Sequence, residues 1–244
     1  MTSNRFFIEK PEIDSSYIFL SGDEHHHLNH VVRIKTQEKV WLFDEQGTSY
    51  LARVEEIGRE KTRLLILKKV TQKRPRLNIA LGQALLRSKK MEFIIQKTTE
   101  WGIARFIPVV TQRSLIKIQT KSDKRIERWQ RIAREASKQS GQVFSLSIEA
   151  PVPLTPFLKE RKEKIRLLLS ENQGKALKNI LIQYQENVPS SVLILVGPEG
   201  GWSDEEEQDI LSHGYEAVTL GKQILRAETA ALSSVALISH FWNR

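Results

Sequence analysis

Val192-Leu193-Ile194-Leu195-Val196-Gly197-Pro198-Glu199-Gly200-Gly201-Trp202-Ser203 is the stretch whose reading decides the fold. Its first five residues are apolar, as in a strand buried on both faces of a parallel sheet. Three glycines in the next five positions expose backbone N–H groups and let a ligand approach the main chain. Ser203 is then an expected N-cap, and Glu206, three residues on, completes a capping box. A strand, a Gly-rich loop and a helix start in that order put the loop at the carboxyl end of a parallel strand, where open α/β sheets bind ligands. A tight turn without a ligand would read the same way. The chain has no G-x-G-x-x-G, and no G-K-[ST] follows the loop, so neither a dinucleotide fingerprint nor a P-loop is indicated. The helix it opens carries Asp204, Glu205, Glu206, Glu207 and Asp209. That charge suits the helix dipole and disfavours a phosphate, so a cationic or zwitterionic ligand fits better.

Downstream, a strand at Glu216–Leu220 runs into a second loop, Gly221-Lys222-Gln223-Ile224-Leu225-Arg226, and then into a helix over Ala227–Trp242. Arg226 and Glu228 flank the start of that helix, as site residues or as a helix-terminal ion pair. Thr229, Ala230 and Ala231 are small enough to let another segment approach. Upstream, strands at Leu77–Leu81, Arg105–Val110 and Ile165–Leu169 alternate with helices. These are Lys89–Trp101 ending at Gly102, Asp123–Gln139 stopped by Gly141, and one around Ala176–Tyr184. Asp204–Ser212 is the next helix, closed by Gly214. This alternation predicts a parallel sheet with helices on its faces. Before it, Thr71–Arg76, with Pro75, reads as a linker. Residues 1–73 have a different rhythm, with short strands at Tyr17–Leu20, Val40–Phe43, Ser49–Ile57 and Arg63–Val70. Ser21-Gly22-Asp23-Glu24 is set to cap a helix running to Arg33, with Leu28, Val31 and Val32 on one face. Together these predict a small β-barrel, and hence two domains, 1–73 and 74–244.

The chain has 244 residues, no cysteine and a net charge of +9. Without cysteine there is no disulfide framework, no Cys-ligated zinc, no iron–sulfur cluster and no thiol nucleophile. No apolar run approaches the ~18 residues of a membrane span, and Met1–Phe7 shows no secretory apolar segment, so a cytoplasmic protein is expected. The charge is uneven: residues 1–73 carry a net +1, residues 74–140 a net +11 and residues 141–244 a net −3. A concentration of cations in the middle segment is the footprint of a polyanion binder, or else a solvated helix face. His25-His26-His27 with His30 puts two imidazoles at i, i+4, but no further ligands complete a set, so no metal is expected. Of the five tryptophans, Trp202, inside the Gly-rich loop, is the candidate for stacking on a base.

The pair VGPEGGWSDEE and LGKQILRAETAAL resembles the signature of the SPOUT methyltransferases. Within them, the chain is most similar to the RsmE family of 16S rRNA uracil-N3 methyltransferases. His26-His27-Leu28 with Val31 and Arg33 resembles the start of that family's small barrel. Gln83-Ala84-Leu85-Leu86, Lys97-Thr98-Thr99-Glu100-Trp101-Gly102, Thr111-Gln112-Arg113-Ser114 and the stretch 131–140 fall where the family has similar blocks. Gln112 departs from the pattern, which has Glu before Arg-Ser.

The resemblance implies a PUA-like β-barrel followed by a SPOUT α/β domain with a C-terminal trefoil knot. It implies S-adenosylmethionine (SAM) as the methyl donor, 16S rRNA or the small ribosomal subunit as partner, and a homodimer. The pocket for SAM would be formed by Leu169, Val196, Gly197, Gly200, Gly201, Leu220, Gly221, Ile224, Leu225 and Thr229. Arg226 would stabilise or orient the uracil, with Glu199 or Glu228 as helper. Arg87, Lys89, Lys90, Arg113, Lys117, Arg131, Arg134 and Lys138 would contact RNA phosphates, and Arg5, His27 and Arg33 of the barrel would grip the same RNA. A ribose 2′-O-methyltransferase and a non-catalytic ribosome-assembly factor are the alternative readings.

Overall fold

The structure, a computed structural model, describes residues 4–8, 12–14, 16–114, 122–171 and 173–242. The chain divides into two compact units. The first holds Met1–Arg74 and Ser137–Ser145, the second Pro75–Ala136 and Leu146–Arg244.

The first unit contains β1 (Arg5–Phe7), β2 (Glu12–Asp14), β3 (Tyr17–Ser21), α1 (Gly22–His26), a π-helical stretch (His27–Val32), β4 (Lys39–Phe43), β5 (Thr48–Ile57) and β6 (Lys61–Thr71). The six strands form one sheet in the order β1-β4-β5-β6-β3-β2. Only β1 and β4 pair in parallel. Alternate residues point inward, as the period of a half-buried strand requires. Ile18, Leu20, Val40, Leu42, Ala52, Val54 and Leu64 meet Phe6 and Leu28 in one core. β1 and β2 are too short for their alternation to show in sequence.

The expected helix to Arg33 changes character at His27, where it widens to π-helical winding. An i→i+5 ladder rotates less per residue than an α-helix. Leu28 therefore stays in the core, while Val31 turns outward and is 62% exposed. Ser21 occupies the N-cap position without a side-chain cap bond. Glu24 accepts instead from the Phe7 N–H at 3.3 Å and pairs with Lys138. The end of the long helix thus belongs with this unit. The loop after it stays there through the Gly47 N–H on the Val143 carbonyl and a bridge between Gln46 and Phe144.

The second unit contains β7 (Asn78–Ala84), α2 (Ser88–Glu100), β8 (Arg105–Val110), α3 (Ser122–Ser140, whose last turn lies in the first unit), β9 (Ser147–Ile148), β10 (Val152–Pro153) and α4 (Leu154–Glu160). There follow β11 (Ile165–Leu169), β12 (Lys175–Ala176), α5 (Leu177–Gln183), β13 (Ser191–Val196), α6 (Asp204–Ser212), β14 (Glu216–Thr219) and α7 (Ala227–Trp242). All strands pair in parallel, in the order β10-β8-β7-β13-β11-β14-β12, with β9 beside β8.

β13 lies mid-sheet and is buried on both faces. Val192, Ile194 and Val196 join the core made with α2, α3, α5 and α7, and Leu193 and Leu195 join the core made with α4 and α6. Gly82 of neighbouring β7 admits this packing, since a Cβ there would stand 2.7 Å from the Phe157 ring. α4 and the two-residue strands carry too short a pattern to be read from sequence. Among the described residues no helix is long and apolar enough to cross a membrane.

Candidate active site

The carboxyl ends of the three neighbouring strands β13, β11 and β14 open onto one cavity of about 540 Å³. Its walls are the loop after β13, the residues Ser170 and Glu171 after β11, and the loop from Leu220 to Arg226 after β14. Lys90 of α2 closes one side.

The loop after β13 is shaped by its own residues. Gly201 takes φ +68°, and its N–H bonds the Pro198 carbonyl at 3.0 Å, a tight turn that favours glycine. Trp202 folds back so that its indole N–H donates to the Leu169 carbonyl at 3.2 Å. A Cβ at Gly197 would lie 3.0 Å from that indole nitrogen, so glycine is what lets the ring pass. Trp202 is therefore engaged as a brace between β13 and β11 rather than offered as a stacking platform. The capping box forms as expected between Ser203 and Glu206.

Neighbouring elements hold this loop from outside. Buried Gln83 donates its side-chain amide to the Gly197 carbonyl at 3.3 Å. Arg113 donates to the carbonyls of Gly200 and Trp202 at 2.9 and 3.0 Å. The Gln112 N–H donates to Glu206 Oε1 at 2.7 Å, and the Ser170 hydroxyl to Glu207 Oε1 at 2.5 Å. Two of the acidic residues of α6 are thus buried structural acceptors.

The expected pocket residues Leu169, Val196, Gly197, Gly200, Gly201, Leu220, Gly221, Ile224 and Leu225 all line the cavity. Thr229 does not: it is exposed, and Ala230, one helical step on, faces the cavity instead. Ile224 is 76% exposed, a bare aliphatic side chain at the rim. Arg226 and Glu199 line the cavity, whereas Glu228 lies behind it.

The anticipated Arg226–Glu228 pair is replaced by a different one. The Lys90 ammonium lies 3.0 Å from Glu199 Oε1 and 3.2 Å from Glu228 Oε2. The bond to Glu199 chiefly raises the Lys90 pKa; partial burial opposes this, and Glu228 adds to it. Burial alone would raise the Glu228 carboxyl. Its own backbone N–H, then Lys90, then the charge of Arg226 outweigh burial and hold it below the usual carboxylate value. Lys90, read from sequence as a phosphate contact, is thus drawn into the cavity. The rule that ligands gather where parallel strands end could have found it, since Lys90 lies just past the carboxyl end of β7.

The remaining cations separate. Arg87, Lys89, Arg131, Arg134 and Arg33 are exposed, and His27 is half-buried with its ring edge-on to Phe6. Lys138 is only 10% exposed, pairs with Glu24 and lies over the Phe7 ring, so the phosphate contact expected of it is replaced by an internal pair. Arg5 packs its guanidinium on Gly141. Arg113 spends its donors on the loop carbonyls described above. Lys117 falls outside the described residues. His25 bonds Thr62 Oγ1 at 2.8 Å, and the His26 and His30 rings lie 4.6 Å apart, tilted by 55°. Among the described residues no group of three or more His, Asp or Glu side chains is placed to hold a metal ion.

Residues 72–239 match the model of an RNA methyltransferase domain, and residues 20–67 that of an RNA methyltransferase PUA domain. The ribosomal RNA small subunit methyltransferase E of Synechocystis sp. is 30% identical over 96% of this chain and 77% of its own length. This chain belongs to the RsmE family of RNA methyltransferases. The Bacillus subtilis protein of the same name is 29% identical over 97% of this chain and 96% of its own. The family resemblance extends to solved structures. A ribosomal RNA small subunit methyltransferase E from Neisseria gonorrhoeae, bound to S-adenosyl methionine, superposes with a TM-score of 0.87 at 31% identity, over 98% of both chains. A Legionella pneumophila methyltransferase in complex with SAM gives 0.88 at 28% identity, over 98% of both chains. The N-terminal unit is accordingly PUA-like, and the parallel-sheet unit is the methyltransferase domain of the family.

Proposed function

We propose that this protein transfers a methyl group from SAM to N3 of a specific uridine in 16S rRNA of the small ribosomal subunit. The observation that carries the reading is the cavity where β13, β11 and β14 end, walled by two glycine-containing loops and with Arg226 at its mouth. Its residues fit the donor: Gly197 and Gly201 keep the main chain bare, and Leu169, Val196, Leu220 and Leu225 offer apolar walls for an adenine. SAM supplies an electrophilic methyl carried on a sulfonium cation.

N3 of uracil is protonated at neutral pH, so the base must lose a proton as it accepts the methyl. The Arg226 guanidinium is the group to stabilise charge developing on the uracil oxygens, and Glu199 or Glu228 assists. The rest is alignment of the acceptor nitrogen with the methyl. The absence of cysteine rules out a thiol adduct at uracil C5.

Residues 1–73 would serve as the RNA-binding domain and 74–244 as the SAM-dependent methyltransferase domain. Arg33, Arg87, Lys89, Arg131 and Arg134 would meet the phosphates, and Arg5 and His27 would assist from the barrel. A C-terminal trefoil knot of the SPOUT type belongs to the same reading, on the strength of the family resemblance of the paired loops. A cytoplasmic homodimer completes the reading. Nucleoside mass spectrometry of 16S rRNA from cells lacking the protein tests it. Loss of one 3-methyluridine is expected, and loss of a 2′-O-methyl nucleoside or of nothing would refute it.

A further inference from the structure

Glu171 and Glu199 are the carboxylates on the cavity walls, and they differ in what holds them. Glu199 is paired with Lys90 at 3.0 Å. Glu171, just past the end of β11, is exposed, and among the described residues no group bonds or pairs with its side chain. The turn beneath it is fixed. The Ser170 hydroxyl donates to Glu207 Oε1 at 2.5 Å and accepts from the Gln173 N–H at 3.2 Å, and the Ser170 N–H donates to the Val218 carbonyl at 3.1 Å. The main chain is therefore anchored on both sides of Glu171, while its side chain is left to the cavity. Its Oε2 stands 3.9 Å from where a Cβ would sit on Gly201. The carboxylate thus reaches across to the bare main chain of the loop after β13.

The layout of the walls says which part of the ligand this carboxylate meets. The apolar walls for an adenine are Leu169, Val196, Leu220 and Leu225. Glu171 follows Leu169 by at most ~7 Å of chain, so it stands beside that wall, and the group joined directly to an adenine is its ribose. The ribose offers two hydroxyl donors on adjacent carbons. An ionised carboxylate is acceptor-only and has two oxygens to meet them. Acidic residues take the ribose hydroxyl of a dinucleotide in the same way in open parallel sheets. We propose that Glu171 is a specificity-determining residue of this site: its carboxylate accepts from the 2′- and 3′-hydroxyls of the SAM ribose, on a turn already rigid before the ligand arrives. A nucleoside without these hydroxyls would strip water from the carboxylate and leave it unpaired, which is how a polar site rejects a near-isostere. The proposal rests on the reading of the cavity as the SAM site.

The test is a cycle of two proteins and two ligands, read by calorimetric titration of the full chain. The proteins are wild type and Glu171→Ala, an exposed position whose side chain makes no internal bond. The ligands are S-adenosylhomocysteine and its 2′,3′-dideoxy analogue, which share the adenine, the neutral thioether and the amino-acid end, so the sulfonium charge does not enter. Wild type should bind the ribose form about tenfold or more tightly than the dideoxy form. Glu171→Ala should lose about that factor for the ribose form and bind the dideoxy form no more weakly than wild type does, so that the preference disappears. If Glu171→Ala weakened both ligands by the same factor, the carboxylate would hold the ammonium or shape the turn, and the proposal would be overturned. Equal affinity of wild type for the two ligands overturns it as well, as does a preference that survives in Glu171→Ala. Binding of neither SAM nor S-adenosylhomocysteine to the wild-type chain would instead refute the SAM reading itself, and the proposal with it.

Discussion

Replacing Glu206 by alanine should loosen the whole carboxyl-end loop system, because one carboxylate serves two elements. Glu206 is 5% exposed. It accepts from the Ser203 N–H at 3.2 Å and from the Gln112 N–H at 2.7 Å, while its own N–H donates to Ser203 Oγ at 3.2 Å. Alanine keeps only the last of these. The Ser203 N–H is then stranded in a buried position, at about 1–3 kcal/mol. The half-covered Gln112 N–H adds about 1 kcal/mol, and loss of a negative charge at the start of α6 a few tenths more. The sum is about 2–4 kcal/mol, a large part of the ~5–15 kcal/mol that holds a typical chain folded. For a chain of this length, 1 kcal/mol moves the melting temperature by ~2–4 °C. Thermal unfolding followed by circular dichroism should therefore show a drop of roughly 5–15 °C. Glu206→Gln, which keeps one accepting oxygen, should fall between alanine and wild type. A Glu206→Ala protein melting within ~2 °C of wild type would mean that this side chain does not stitch the loop to residue 112, and the account of the site would be wrong.

Four further outcomes follow from the same geometry. Gly201→Val puts a β-branched residue at φ +68° beside the cavity and should abolish SAM binding in calorimetry, whereas unchanged affinity would remove this turn from the pocket. Arg226→Ala should leave SAM affinity near wild type and cut turnover by ~10²-fold or more in a methyl-incorporation assay; full activity would take Arg226 out of the mechanism. Exposed Arg131 and Arg134, both changed to Gln, should weaken binding of 16S rRNA and flatten its dependence on salt by about two counterions; a salt slope identical to wild type would exclude them from the interface. Finally, Glu228 is held below its ordinary value of 4.5 and Lys90 above its ordinary 10.5. The carboxylate's contribution to stability is present above pH 4.5 and lost as pH falls through the depressed value. The ammonium's is present below pH 10.5 and lost as pH rises through the raised one. The stability gap between wild type and Lys90→Met should therefore be constant from about pH 5 to 10 and shrink at both extremes; a gap that changed steadily across neutral pH would contradict the pairing.

Much of the site was legible because its parts are local. The run Val192–Val196, the glycines after it and the Ser203–Glu206 box each take their form from near neighbours in sequence, and the structure reproduces them. Helix bounds at α6 and α7 followed from Ser203, Gly214 and the apolar spacing. Other features are not local. Val31 faces out because the helix before it changes its winding, which residue spacing read at the α-helical period cannot show. Arg113 and Lys138 read as solvent-facing cations, yet Arg113 meets carbonyls 87 and 89 residues away, and Lys138 meets a carboxylate 114 residues away.

The sequence by itself determined the two kinds of unit, the parallel order of the second and the two loops that carry its chemistry, since these depend on period, turn residues and caps. Only the tertiary structure decided which charges are spent inside and which remain on the surface. A lysine and a glutamate become partners when folding brings their atoms within about 3 Å of each other, and that distance depends on how α2, α7 and the loop after β13 pack. Lys90 is the plainest case: a surface cation by composition, it becomes the centre of a three-element charge cluster once those elements are packed.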